Sequence, residues 1–218
     1  MSTVANIALW AAKLLILFGS IILHEISHGY AALKMGDTTA KDAHRLSLNP
    51  LKHIDPFGTI IMPAAMLLIS QGSFAFGYAK PVPINPRRFK NERSGMLITG
   101  IAGPMTNIGL AILAGVAYRG IGFVAGTSST FIAVVAYLLS YMAFMNLVLA
   151  FFNLIPLPPL DGSRVVQRFL PTKARDAYHR LEPYGFVIIM ATIWFFPQVF
   201  NAYLVLTVTP VFNFLVGA

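Results

Sequence analysis

Five residues, His24-Glu25-Ile26-Ser27-His28, form an H-E-x-x-H pattern near the end of an apolar run from Val4 to Leu33. On a helix, positions four apart lie on one face, so His24 and His28 can turn two imidazoles toward one metal ion. Glu25 lies beside that face, where a carboxylate can hold a water and take its proton. A zinc hydrolase uses this spacing to supply two neutral nitrogen ligands, an open position for water and a carboxylate base. In a soluble helix, chance or polar packing would account for so short a pattern. In a lipid-facing run that account weakens, because ionisable groups are expensive at membrane depth and mark function there.

A catalytic zinc site takes a third protein ligand. Asp37 and Asp42 follow the motif in a polar turn and are poorly placed. Asp161 is a better candidate. It closes the stretch Phe152-Asn153-Leu154-Ile155-Pro156-Leu157-Pro158-Pro159-Leu160-Asp161-Gly162. The prolines stop regular helix and Gly162 permits a tight turn, so the chain can swing a carboxylate back toward the membrane interior. Taken alone, Asp161-Gly162 also reads as an ordinary helix-end turn.

Taken together, H-E-x-x-H on one membrane helix and N-x-x-P-x-x-x-L-D-G after a later one resemble the site-2 protease family of intramembrane zinc metalloproteases. The resemblance spans about residues 10–165. It implies that His24, His28 and Asp161 hold one Zn2+ per chain and that Glu25 is the general base. It also implies that Asn153 is a catalytic residue that positions the substrate or stabilises an oxyanion. The expected reaction is hydrolysis of peptide bonds in or near transmembrane segments of membrane-protein substrates. The expected organisation is a minimal member, without the PDZ or CBS domains of some relatives. Ala102-Gly103-Pro104-Met105-Thr106-Asn107 resembles a glycine-proline-asparagine element of the family. Asn107 either lines the site or makes an interhelical hydrogen bond.

Composition sets the frame for these residues. The chain has 218 residues, 56% hydrophobic and 11% charged, with mean hydropathy +0.69. That describes a multi-pass integral membrane protein. A single domain is expected over 1–218, with its core at about 10–165 and C-terminal helices over 177–217. The absence of cysteine excludes disulfides and thiolate metal sites. A net charge of +8 invites a nucleic-acid reading. The distribution argues against it: of 16 Lys and Arg, all but Lys13 and Arg119 fall in 34–56, 72–93 and 154–182. The positive-inside rule puts those segments in the cytosol. The expected setting is the cell membrane, with the active site open to the cytosol. The expected partners are the lipid bilayer and a transmembrane protein substrate, with no nucleic acid. The sequence leaves the oligomeric state open.

The positioning elements follow from periodicity and breakers. Val4–Lys34 reads as a membrane helix, with Lys13 snorkelling to the far interface. The alternation in 38–48 suggests a short strand or hairpin. The run 59–70 contains Pro63 and is too short to cross, so it reads as re-entrant. In 74–84, Phe74, Phe76, Tyr78, Val82 and Ile84 share one face, which reads as a strand, with an amphipathic loop lying on the membrane as the alternative. Pro81 and Pro83 confine the strand to an edge. Helices are expected over 94–118, 131–153, 184–196 and 199–215, with an amphipathic surface helix over 164–180. Gly100, Gly103, Gly109 and Gly115 read as close helix packing, and Asn146 as packing within 131–153. The fold expected is therefore an all-α polytopic membrane protein with a small membrane-associated β-hairpin or sheet. It would have five to six membrane segments, one of them re-entrant.

Two further groups are candidates. His53 could support the site or bind substrate, while Asp55 caps the segment that begins at Pro56. Phe74, Phe76 and Tyr78 could form the strand edge that receives an unwound substrate. The alternative function is a membrane metal transporter or metal-binding protein. It would need a polar path across the bilayer, and residues 131–149 offer little beyond Ser140 and Asn146. A catalytically silent scaffold is a third reading, although every expected catalytic residue is present.

Overall fold

The length of the first apolar run decides the architecture. α1 (Thr3–Lys34) has 32 residues, about 48 Å at 1.5 Å per residue, against a hydrocarbon core of about 30 Å. It crosses with turns to spare. The computed structural model describes residues 3–69, 71, 77–124 and 129–217. Among these, nine α-helices follow in order. After α1 come α2 (Thr39–Asp42), α3 (Met62–Ile69), α4 (Glu92–Val124) and α5 (Thr130–Asn153). Then come α6 (Asp161–Gln167), α7 (Thr172–His179), α8 (Glu182–Phe195) and α9 (Pro197–Val216). Helices α1, α4, α5 and α9 are long and apolar enough to cross a membrane. The apolar segments Pro56–Ile69 and Glu182–Phe195 are shorter.

α4 is the central post. It packs along α1 and α5, meets α6 near its start and touches α9. The apolar contact among α4, α5 and α9 is built on Ala111, Leu147 and Val208, with Phe151 and Phe212 packed around them. Buried apolar side chains are few, and many large ones are exposed, such as Leu15, Leu113 and Leu206. That is the pattern of helices facing lipid, where outward apolar surface carries no penalty. Lys13 sits in this apolar surface with its ammonium 5.0, 4.8 and 5.3 Å from the ring centroids of Trp10, Tyr137 and Tyr141. Three ring faces offset part of its desolvation.

α1 ends in a Schellman arrangement. Gly36 has φ +106°, Gly36 N–H donates to the Leu33 carbonyl, and Asp37 N–H donates to the Ala32 carbonyl. The chain turns sharply there and begins the loops that cover the C-terminal half of α1.

The expected β-hairpin or sheet is corrected by these loops. No strand occurs among the described residues. Residues 38–48 form the single helical turn α2 followed by turns, because Asp42 and Ala43 N–H return to the Thr38 and Thr39 carbonyls. Of the stretch 74–84, residues 77–84 are an extended strap without a partner strand. Phe74 and Phe76 lie outside the described residues. The period of two is present, but it serves other acceptors. Tyr78 N–H donates to Gly58 O (3.0 Å) and Lys80 N–H to His53 O (2.9 Å). Val82 N–H donates to Glu25 Oε2 (2.9 Å) and Asn85 N–H to Asp37 Oδ2 (2.6 Å). Pro81 and Pro83 have no N–H to offer. The donors of Tyr78, Lys80, Val82 and Asn85 are therefore taken by the Glu25 and Asp37 carboxylates and by loop carbonyls rather than by a partner strand.

The expected surface helix over 164–180 is two short helices, α6 and α7, separated at Pro171. Asp55 caps the turn that starts at Pro56, accepting from Gly58 N–H at 2.7 Å.

Candidate metal centre

α1 supplies two imidazoles one turn apart, and the chain after α5 brings a carboxylate to them. His24 Nε2 lies 3.0 Å from Asp161 Oδ2, and His28 Nε2 lies 3.1 Å from the same oxygen. The two Nε2 atoms are 3.0 Å apart. All three residues are buried. Among the described residues they form a group able to hold a metal ion.

The opposite ring nitrogens fix what this triangle presents. His24 Nδ1 is 2.5 Å from Asn107 Oδ1, and His28 Nδ1 is 2.6 Å from the Thr99 carbonyl. Both partners are acceptors, so both protons sit on Nδ1, and each Nε2 of a neutral ring presents a lone pair. The Asn107 orientation is set in turn. Its Nδ2 donates to Asn146 Oδ1 (2.8 Å), and Asn146 Nδ2 donates to Ser20 Oγ (2.9 Å). Ser20 Oγ donates to the Ile16 carbonyl at 2.8 Å. This relay crosses α1, α4 and α5 and determines every amide direction along it.

The donor set fits zinc. Two lone pairs and a carboxylate oxygen converging at 3.0–3.1 Å repel one another unless a cation or proton lies among them. Ligands at about 2.1 Å in a tetrahedral shell stand about 3.4 Å apart, within a few tenths of the observed triangle. Nitrogen and oxygen donors with second hydrogen bonds are the usual surroundings of such an ion.

Asp161 is positioned by packing against the start of α4. A Cβ on Gly100 would stand 2.8 Å from Arg164 Cβ and 3.1 Å from the Asp161 carbonyl oxygen. Arg164 Nη1 lies 3.5 Å from Asp161 Oδ1, on the side away from the histidines' shared oxygen. Gly103 is tighter still. A Cβ there would stand 2.5 Å from both His24 Nε2 and His28 Nε2. The sequence marks Gly103 as a small residue in a helix interface and as part of the glycine-proline-asparagine element. Its nearness to the imidazoles emerges once α4 is laid across α1. Asn146 and Ser20 were likewise not legible as site residues, because nothing in their spacing refers to His24.

The other sequence candidates fall in different places. Glu25 is half-buried and its Oε2 accepts from Val82 N–H. Asn153 turns back on its own helix, its Nδ2 donating to the Leu149 carbonyl at 2.9 Å. His53 is buried in the 44–53 loop, with its ring on the Ser47 carbonyl (2.7 Å) and its own carbonyl holding Lys80 N–H. It is not in the His24–His28–Asp161 group. Tyr78 joins the turn at Pro56 through Gly58 O, and through its own carbonyl to Thr59 Oγ1 at 2.8 Å.

Comparison with known proteins adds an independent line. A family model described as peptidase family M50 matches residues 119–196, a range that contains Asp161. Two relatives carry the name "Putative zinc metalloprotease". YwhC of Bacillus subtilis is 39% identical over 176 residues, covering 78% of this chain and 74% of the relative. Rip2 of Mycolicibacterium smegmatis is 26% identical over 188 residues, covering 83% and 68%. Zinc metalloprotease MJ0392 of Methanocaldococcus jannaschii is 29% identical over 177 residues, covering 79% of this chain and 38% of the relative. No solved structure shows a significant match.

Proposed function

The chain belongs to peptidase family M50, the site-2 protease family of zinc metalloproteases, and on that premise we propose that it is an intramembrane endopeptidase. It hydrolyses peptide bonds in or near transmembrane segments of membrane proteins, in the cell membrane, with its site open to the cytosol. The observation that carries this reading is the meeting of His24 Nε2, His28 Nε2 and Asp161 Oδ2 within 3.1 Å. Glu25 stands next in the chain, on a helix long enough to span a bilayer.

His24, His28 and Asp161 hold the metal in this proposal. Zinc, when bound, supplies a Lewis acid that polarises the scissile carbonyl and acidifies water. Glu25 receives a proton from the attacking water and returns it to the leaving amine, the usual double duty of one carboxylate. Asn107 and the Thr99 carbonyl keep both imidazoles in the Nδ1–H form throughout. Asn153 exchanges its bond to the Leu149 carbonyl for one to the substrate, placing a donor near the developing charge. The opening toward the cytosol rests on the charge distribution, since all Lys and Arg but Lys13 and Arg119 fall in 34–56, 72–93 and 154–182.

The test compares membrane proteomes of cells carrying the wild-type chain and Glu25→Gln. The expected result is a set of membrane proteins that are shortened only with the wild type, while purified Glu25→Gln retains zinc. If zinc is retained by both and no cleavage product ever differs, while metal flux across vesicles depends on His24 and Asp161, the transporter reading replaces this one.

A further inference from the structure

Beside the metal centre, and bordering it at Arg164, lies a second concentration of charge. A cavity of about 70 Å³ is lined by Arg93, Arg164, Arg168, Arg175, His179 and Glu92, together with Pro86, Met96 and the amide of Gln167. Three elements contribute: the first turn of α4, α6 with its C-terminal turn, and α7. We propose that this cavity binds a phosphate group, presented either by an anionic lipid headgroup or by a free phosphate compound.

The positive-inside rule explains why basic residues lie in these segments. It does not explain why they converge. Arg164 and Arg168 are four apart, as are Arg175 and His179, so each pair shares one face of its helix turn. The like charges of Arg164 and Arg168 oppose each other at that spacing. The packing nevertheless brings four arginines to the lining of one cavity, with a single lining acidic residue, Glu92. Two of the guanidinium atoms are the sharper observation. Arg175 Nε and Nη2 are excluded from solvent and have no hydrogen-bond partner. Burying charged donors unpaired is costly, and native structures seldom leave such groups without an acceptor. Arg175 also lines the cavity, so a modest turn of its side chain would bring these donors onto an oxyanion bound there. Planar guanidinium forks match the oxygens of phosphate, and several of them around one small space suit a doubly charged or diester group better than a lone carboxylate. Arg164 also stands 3.5 Å from Asp161 Oδ1, so one residue borders both the cavity and the metal centre.

The experiment uses the full chain purified in a neutral detergent at physiological ionic strength, read by thermal unfolding with bound zinc measured in parallel. One arm titrates inorganic phosphate. The other titrates mixed micelles containing phosphatidylglycerol, against phosphatidylcholine as the uncharged control. A saturable rise in Tm with phosphate identifies a free anion as ligand. A rise with phosphatidylglycerol alone identifies a lipid headgroup. Arg175→Gln should weaken the response at least about tenfold, the loss expected for one charge-assisted hydrogen bond. Arg168→Gln, at an exposed position, gives the same reading if Arg175→Gln does not fold. Lys52→Gln, a basic change outside the cavity, should leave the response unchanged. Bound zinc should be equal in all variants, so failure here leaves the metal-centre reading untouched. No saturable rise in either arm overturns the proposal. An equal loss in Lys52→Gln also overturns it, because the response would then reflect general surface charge.

Discussion

His24 and Glu25 are adjacent in the chain and are held in opposite ways. The His24 ring is buried and tied through Asn107, Asn146 and Ser20 to three membrane helices. Each member of that relay is buried, so loss of any one strands a polar group away from water. The Glu25 carboxylate is half-buried and accepts from the Val82 backbone N–H of the extended strap. The strap is itself tethered at separated points, with Lys80 N–H on His53 O, Asn85 N–H on Asp37 and Lys90 N–H on Met35 O. The metal-facing half is thus part of the core, whereas the carboxylate is attached to the periphery. A ligand set needs unvarying geometry. In the proposed reaction, a group that moves protons and makes room for an extended peptide needs contacts that can be exchanged.

The largest effect should come from the buried half. Asp161→Ala removes the oxygen shared by both histidines. Loss of an outer partner alone costs 10–100-fold in metal affinity, so this loss should exceed about 100-fold. Zinc content of the purified protein measures it. Near-normal zinc in Asp161→Ala would remove Asp161 from the ligand set.

Asn107→Leu should come next. It leaves the three ligands in place and cuts the relay, so zinc affinity should fall about 10–100-fold, with activity restored by excess zinc. Competition with a chelator gives the affinity. If affinity is unchanged, the relay serves packing alone and the contrast with Glu25 fails.

Val82→Pro sharpens the other half. Val82 lies between Pro81 and Pro83 in a segment outside any helix or strand, so proline there deletes the N–H without breaking regular structure. The expected outcome is an unchanged zinc affinity and a cleavage rate about tenfold lower, from losing a hydrogen bond to a charged group that orients Glu25. A rate increase would instead make the strap a restraint that substrate must displace.

The smallest effect concerns Asp37. Burial pushes its carboxyl upward, but donors from Thr39 and from Asn85 N–H outweigh this and hold it below the ordinary value of 3.8. Its contribution to stability is present in full above that value and is lost as the pH falls through the lower folded one. Asp37→Asn should flatten the acid limb of a Tm-against-pH curve while leaving the value at pH 7 lower by a few degrees at most. An unaltered acid limb would show that the strap is not held through Asp37.

How much was legible beforehand varies with the range of the signal. The H-E-x-x-H spacing alone puts His24 and His28 on one face, because helical periodicity is local. The apolar runs likewise mark α1, α4, α5 and α9, because length and hydropathy settle what can cross a bilayer. Alternation in 77–84 was equally visible, yet it led to a strand that is absent. Periodicity reports which way side chains and N–H groups point, but not which acceptors wait for them. Here the acceptors are Glu25, Asp37, His53 and Gly58, scattered over two loops and a helix.

The amino-acid sequence by itself determined the residue types able to bind a metal, the helical spacing of two of them and the membrane character of their surroundings. Tertiary structure alone decided that Asp161 reaches them across 137 positions, that Gly103 lies against both imidazoles, and that Asn107 rather than water accepts from His24. The physical reason is that these are contacts between elements. They depend on how α4 crosses α1 and where the chain after α5 turns back, and no local pattern encodes a crossing. The same packing gathers arginines from α4, α6 and α7 around one cavity, although the sequence presents them only as topology signals and as part of an amphipathic surface helix.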